Sequence, residues 1–292
     1  MTVLEAFLQG VLQGFTEFLP VSSSGHLSLF QYFTGNSGET GFLFSILLHA
    51  GTLVAVCIVF FPTLWALLWE AFALVGDLCR GKFSARRMNE ERRMLLFLLL
   101  SLVPLALIVA LRDWVSGFST DRDITVEGFC FLVTGCALLT ASSRARGRKA
   151  ANGMRASDAL AIGAAQVVAT MPGISRSGAT ISTGLLCGLE RQYAVSYSFI
   201  LGIPAVLGAI ILETKDAVAE GVTLPVPVML TGFVTAAVFG VLSIKLVQWL
   251  IKGDRFRLFG YYTLCLGIVV LTIGFIDRFT GYPIQGWVSS LL

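Results

Sequence analysis

The 292-residue chain is 55% hydrophobic, only 13% charged, and carries a formal net charge of +3, with a mean hydropathy of +0.81. Soluble domains contain roughly a quarter charged residues, so this composition excludes an ordinary soluble domain and indicates an integral membrane protein. The small net charge, with its basic residues in short clusters between apolar runs, argues against a nucleic-acid partner and reads as a topology signal.

The first apolar run, residues 2–19, has helical character but meets Pro20 and the cluster Ser22-Ser23-Ser24 at about mid-membrane depth. A second helix starts at Ser22 or Ser23 and runs to about Phe33, before the turn Thr34-Gly35-Asn36-Ser37-Gly38. At ~1.5 Å per residue neither half crosses ~30 Å of hydrocarbon comfortably, so 2–33 reads as a re-entrant pair. Met1 to Glu5 lack a positive n-region and no Ala-x-Ala site follows, so no removable signal peptide is expected.

Full spans are expected at about 42–61, 94–111 and 125–142. Between the first two lies a basic loop with Arg80, Lys82, Arg86, Arg87, Arg92 and Arg93, whose start, 63–78, with Trp65, Trp69 and Glu70, reads as an interfacial helix. The basic run Arg144 to Lys149 precedes a second interrupted pair, about 157–171 and 176–187, and then spans at about 194–212, 226–250 and 257–276. The six cysteines are scattered without metal-ligand spacing, so neither a disulfide framework nor a zinc site is expected.

Sliding the chain by 153 positions places Ala6 on Ala159, Gly10 on Gly163, Gln13 on Gln166, Ser22 on Ser175, Ser24 on Ser177, Gly25 on Gly178 and Ser45 on Ser198. The expected fold is therefore an all-α polytopic membrane protein, one integral membrane domain built from two repeats, residues 1–142 and 157–276. Each holds a re-entrant pair, 2–33 or 157–187, and three spans. The basic loops 62–93 and 143–156, with Lys252, Arg255 and Arg257, belong in the cytoplasm; loops 112–124 and 213–225, with Asp113, Asp121, Asp123, Glu213, Asp216 and Glu220, belong outside. That alternation closes only if each pair enters and leaves on one side, so the repeats are inverted, and both polar tips meet at a midplane site.

Polar groups at that depth are costly unless they work. In the first tip Gln13 and Glu17 share a helix face; Glu17 is a candidate oxygen ligand for a divalent cation, with Gln13 a weaker one. Ser22, Ser23, Ser24 and Gly25 open a helix whose free N–H groups suit phosphate. His26, in its first turn, is a candidate nucleophile, base or acid. In the second tip, Ser175, Ser177, Gly178 and Thr180 surround Arg176, a side chain that grips phosphate oxygens in pairs. The serines are equally readable as plain N-caps, His26 as a structural histidine, Glu17 with Arg176 as a buried pair bridging the repeats, and Gln13 with Gln166 as helix–helix hydrogen bonding. His49 is readable either as a cavity lining or as a packing partner.

The segment Gln13-x-x-x-Glu17 running through Pro20 to His26, and the segment from Pro172 to Thr180, closely resemble the two signature motifs of the undecaprenyl-diphosphate phosphatases of the bacitracin-resistance type. The resemblance covers essentially the whole chain in length, span pattern and motif placement. It implies a membrane hydrolase that removes the terminal phosphate of undecaprenyl diphosphate, regenerating a carrier lipid for wall polymers and conferring bacitracin resistance. It implies dependence on Mg²⁺ or Ca²⁺, a multi-pass protein of the bacterial plasma membrane with an extracytoplasmic-facing site, and a possible homodimer. By position the motif's residues are Glu17, Ser22 to Ser24, His26 and Arg176, while Gln13 stands where some members have glutamate. Ser23 assisted by His26, His26 itself, or a water directed by His26 remain as attacking groups. A transporter that flips a phosphorylated polyprenyl lipid is the rival class for the same architecture.

Overall fold

The computed structural model describes residues 1–34, 39–82, 84, 88–109, 124–144, 147–171, 173–219, 224–253 and 255–289. The turn at 35–38, Arg86 and Arg87, most of loop 112–124 with Asp113, Asp121 and Asp123, Arg146, Pro172 and Glu220 fall outside them. The described residues form twelve α-helices and one 3-10 turn, with no strand beyond an isolated bridge between Lys149 and Leu189.

Helix α1 (Val3–Phe18) starts with a capping box: Glu5 N donates to Thr2 Oγ1 at 3.2 Å and Thr2 N donates to Glu5 Oε2 at 2.7 Å. It stops at Leu19, whose extended backbone is the conformation a following proline imposes. The chain turns through Ser22, which holds a left-handed φ of 72°, and re-enters a helix as α2 (Ser23–Thr34). Helices α3 (Glu39–Val59), α4 (Phe61–Cys79), α5 (Glu90–Val109) and α6 (Thr125–Ser142) complete the first half of the chain. The second half repeats the break: α7 (Ala156–Val168), a turn through Gly173 at φ +89°, and α8 (Arg176–Leu186). Helices α9 (Arg191–Ala219), α10 (Val226–Lys252), α11 (Arg257–Thr280) and the short α12 (Pro283–Ser289) follow.

Five of these, α4, α6, α9, α10 and α11, are long and apolar enough to cross a membrane. The chain is thus a multi-pass, all-helical membrane protein. Helix α4 starts two residues before and ends one residue after the interfacial segment 63–78 read from the sequence. It is long and apolar enough to span, and it presents Phe61, Trp65, Trp69 and Phe72 outward as a ladder of touching rings. Arg92, at the start of α5, ties it down by bonding Glu70 at 2.9 Å and Asp77 at 2.6 Å.

Small residues set the helix contacts that position the tips. Gly10 and Gly14 of α1 form a G-x-x-x-G face against Gly232, Ala236 and Gly240 of α10, and a Cβ on Gly14 would lie 2.8 Å from the Ala236 carbonyl. Gly51 of α3 meets the Phe233 carbonyl and Ala236 in the same way. These contacts ascend together along all three helices, so α1, α3 and α10 run parallel. Elsewhere α7 packs on α5, α6 on α11, α3 on α9, and α8 sits among α6, α7 and α9. The largest apolar cluster, including Phe18, Val56, Ile181, Phe199, Leu201 and Ile244, lies beneath the meeting point of α1, α3, α8 and α9.

Candidate functional site

The two helix breaks meet inside the bundle. Gly173 N donates to Ser24 Oγ at 3.3 Å, Ser177 Oγ donates to the Leu19 carbonyl at 3.3 Å, and Arg176 Nη2 bonds Glu17 Oε1. Groups some 150 residues apart in sequence therefore share one site, because each break interrupts its helix at the depth where the other arrives.

Both tips are built alike. Ser175 caps α8 by accepting from Gly178 N at 3.0 Å and lies 3.2 Å from Ser177 Oγ. Ser22 accepts from Gly25 N at 3.3 Å and lies 3.3 Å from Ser24 Oγ. The serines at the two helix starts, Ser22 and Ser175, thus do cap their helices. Gly25 is required by closeness, since a Cβ there would lie 2.6 Å from the Phe131 ring and 3.2 Å from Gly173 Cα.

Glu17 is the hub. Its side chain is buried, and where Oε1 pairs with Arg176, Oε2 accepts from Ser23 Oγ at 2.6 Å and from Gln13 Nε2 at 2.9 Å. His49 of α3 places Nε2 3.7 Å from the same oxygen, its Nδ1 bonding the Ser45 carbonyl at 2.8 Å. Arg176 keeps a further bond, from Nη1 to the Gly202 carbonyl at 3.3 Å. A buried carboxylate with a guanidinium on one oxygen and a hydroxyl on the other is a compensated charge that an incoming anion can reorganise.

Not every motif residue reaches this hub. His26 turns away from Ser23: its Nδ1 lies 2.7 Å from the Ser22 carbonyl and its Nε2 2.7 Å from Tyr262 Oη of α11, with Phe131 of α6 edge-on at 5.3 Å. A carbonyl only accepts, so Nδ1 carries the hydrogen and Nε2 the lone pair. Thr180 is buried away from the opening, bonding the Arg176 carbonyl at 2.8 Å and Ser198 Oγ at 2.5 Å. Thr134, which accepts from Ser175 N at 3.1 Å, Gly202 and Tyr262 join the site without any signal in the motifs.

Beside the hub a small opening is lined by the polar groups of Glu17, Arg176 and Thr52, by Gly202, and by the apolar side chains of Phe18, Leu53, Val56, Phe199, Ile203 and Val206.

Over residues 6–269 the sequence matches the family described as bacitracin resistance protein BacA. The chain belongs to the BacA family. It is 40% identical over 276 residues to an undecaprenyl-diphosphatase of Rubrobacter xylanophilus, an alignment covering 94% of this chain and 98% of the relative. A protein of the same name from Methanosphaera stadtmanae is 36% identical over 277 residues, 94% and 98% of the two chains. Another, from Korarchaeum cryptofilum, is 37% identical over 274 residues, 94% and 100%. The match to BacA takes in both tips and every helix that supports them, α1 to α11 in all but their outer ends.

Proposed function

We propose that this BacA-family chain hydrolyses undecaprenyl diphosphate to undecaprenyl phosphate and inorganic phosphate, recycling the carrier lipid for wall synthesis and thereby conferring bacitracin resistance. The reading is carried by Ser23, whose hydroxyl donates to Glu17 while Arg176 holds the other carboxylate oxygen. That is a hydroxyl with a base beside it and an anion-binding guanidinium on the base's other oxygen, next to an opening whose lining continues into apolar side chains.

The geometry favours Ser23 as the attacking group. Arg176 exchanges Glu17 for the terminal phosphate's oxygens and draws charge from them. Glu17, freed of its ion pair, takes the Ser23 proton as Oγ bonds to phosphorus and the anhydride bond breaks, releasing undecaprenyl phosphate. Water then cleaves the phosphoserine. His26, one turn beyond Ser23 on α2, offers its Nε2 lone pair to that water. The helix N–H groups of α2 and α8 hold phosphate oxygens as the charge moves.

A divalent cation fits this donor set only in company with the substrate. Among the described residues no three His, Cys, Asp or Glu side chains cluster, but Gln13 Oε1 is buried without a partner beside Glu17. One carboxylate, one amide oxygen and the diphosphate together suit Mg²⁺ or Ca²⁺. When bound, the cation would neutralise negative charge on the diphosphate.

The two halves of the chain are read as inverted repeats. In support, α1 packs on α10 as α7 packs on α5, while α3 and α9, and α6 and α11, pack on each other. The basic loops face the cytoplasm of the bacterial plasma membrane, and the first tip enters from outside, so the site opens to the extracytoplasmic side. A homodimer, implied by the family resemblance, is tested by the mass of the detergent-solubilised protein.

Rapid quench with substrate labelled in the terminal phosphate tests the Ser23 route. Label is expected on wild type within one turnover and not on Ser23→Ala, which should lose at least about 10³-fold in rate. Release at the wild-type rate without protein-bound label in any phase contradicts attack by Ser23, and lipid translocation without phosphate release favours the flippase.

A further inference from the structure

His26 has two contacts outside both motifs, Phe131 and Tyr262. Its ring is fixed on three sides: the Ser22 carbonyl on Nδ1, the Phe131 edge, and Tyr262, whose ring lies nearly parallel at 11° with centroids 5.8 Å apart and whose hydroxyl is 2.7 Å from Nε2. The Ser22 carbonyl reaches Nδ1 because Ser22 adopts a left-handed φ of 72°, a conformation costly for a residue with a side chain and concentrated at functional sites. With Nδ1 committed as donor, Nε2 has only its lone pair to offer, and the Tyr262 hydroxyl must donate to it. Tyr262 lies 236 residues downstream on α11, so the last long helix completes a site otherwise built by α1, α2, α3, α6, α8 and α9.

We propose that Tyr262 is a positioning residue for the hydrolytic reaction: its hydroxyl fixes the plane and tautomer of the His26 imidazole, so that Nε2, on the side of the first tip turned from Glu17, carries the lone pair that accepts the proton of the attacking water. The inference rests on the reading of His26 as the base of the second step. In the resting site the phenol occupies the nitrogen and keeps the ring from rotating toward Ser23 and Glu17. When water enters, the hydroxyl moves with the phosphate-bound water as a second acceptor, and the ring plane stays set by stacking and by the Ser22 bond. Tyr262 is about half exposed toward the bundle surface, so its hydroxyl has room for this movement.

The test uses the full-length protein in detergent micelles with undecaprenyl diphosphate, comparing wild type, Tyr262→Phe and His26→Ala. Phe keeps the stacked ring and removes only the hydroxyl, so melting temperature should stay within a few degrees. We expect kcat to fall about tenfold, the worth of one hydrogen bond, with KM within twofold of wild type. The chain has two histidines, so ¹⁵N-histidine spectra resolve His26; its Nε2 resonance should move in Tyr262→Phe while Nδ1 stays protonated. An unmoved Nε2 resonance overturns the contact, and an unchanged or raised kcat overturns its role, because the hydroxyl would then merely block the nitrogen. Wild-type turnover by His26→Ala fails the underlying reading of His26 instead, whatever Tyr262→Phe does.

Discussion

Arg176 faces two demands that one residue type satisfies. In the resting site it neutralises buried Glu17, and its second nitrogen reaches the Gly202 carbonyl, where a Cβ would lie 3.2 Å from Arg176 Cζ. A planar, permanently charged fork can hold a carboxylate and a carbonyl at once and then hold two phosphate oxygens, whereas an ammonium offers a single point charge. Arg176→Lys should therefore keep the fold and the charge yet lose about 10²-fold in kcat/KM, read from initial rates of phosphate release. A lysine variant at wild-type efficiency would mean that charge alone suffices. Glu17 is the converse case: a buried carboxylate costs several kcal/mol unless compensated, and four neighbours, Arg176, Ser23, Gln13 and His49, supply that compensation.

At the scale of the elements, the site depends on helices ending where they do. The anchor for α2 is at its far end: Asp277 of α11 is fully buried, accepts from Tyr32 Oη of α2 at 2.7 Å, and caps α12 through Ile284 N and Gln285 N. Asp277→Ala strips three donors of their acceptor and should destabilise the fold by about 2–4 kcal/mol, seen as a lower melting temperature in detergent; an unchanged melting temperature would mean the latch is not needed. Much of this arrangement was legible in the sequence. Glu17, Pro20, the serines and Arg176 stand out because polar groups interrupt apolar runs, and the shared register of Ser22 with Ser175 and Gly25 with Gly178 foretold twin tips. The pairing of Ser23 with Glu17, not His26, was not legible, since residues one turn apart on α2 can still point to different partners. Nor was Tyr262: its contact spans 236 residues and its helix reads simply as apolar. The segment at 63–78 was ambiguous for a different reason, as tryptophan-rich amphipathic and spanning helices share composition.

For the whole molecule, the claim is that two helix breaks from opposite halves meet to make one anion site inside a membrane. The proposed orientation has a direct test: with the basic loops in the cytoplasm, single cysteines at Arg148 and Thr223 in a cysteine-free background should differ in whole cells, Thr223 reacting with an impermeant maleimide and Arg148 only after lysis. The reverse pattern would invert the protein and point the site at the cytoplasm. Chelation should slow hydrolysis by at least tenfold and added Mg²⁺ or Ca²⁺ should restore it, since the single guanidinium of Arg176 at the site supplies less positive charge than a diphosphate carries. The most direct test compares phosphate release from undecaprenyl diphosphate by purified wild type and Arg176→Ala at matched folding. The account predicts steady release by wild type and a loss of about 10³-fold in the variant; near-native release by Arg176→Ala, or none by wild type with metal present, would contradict it.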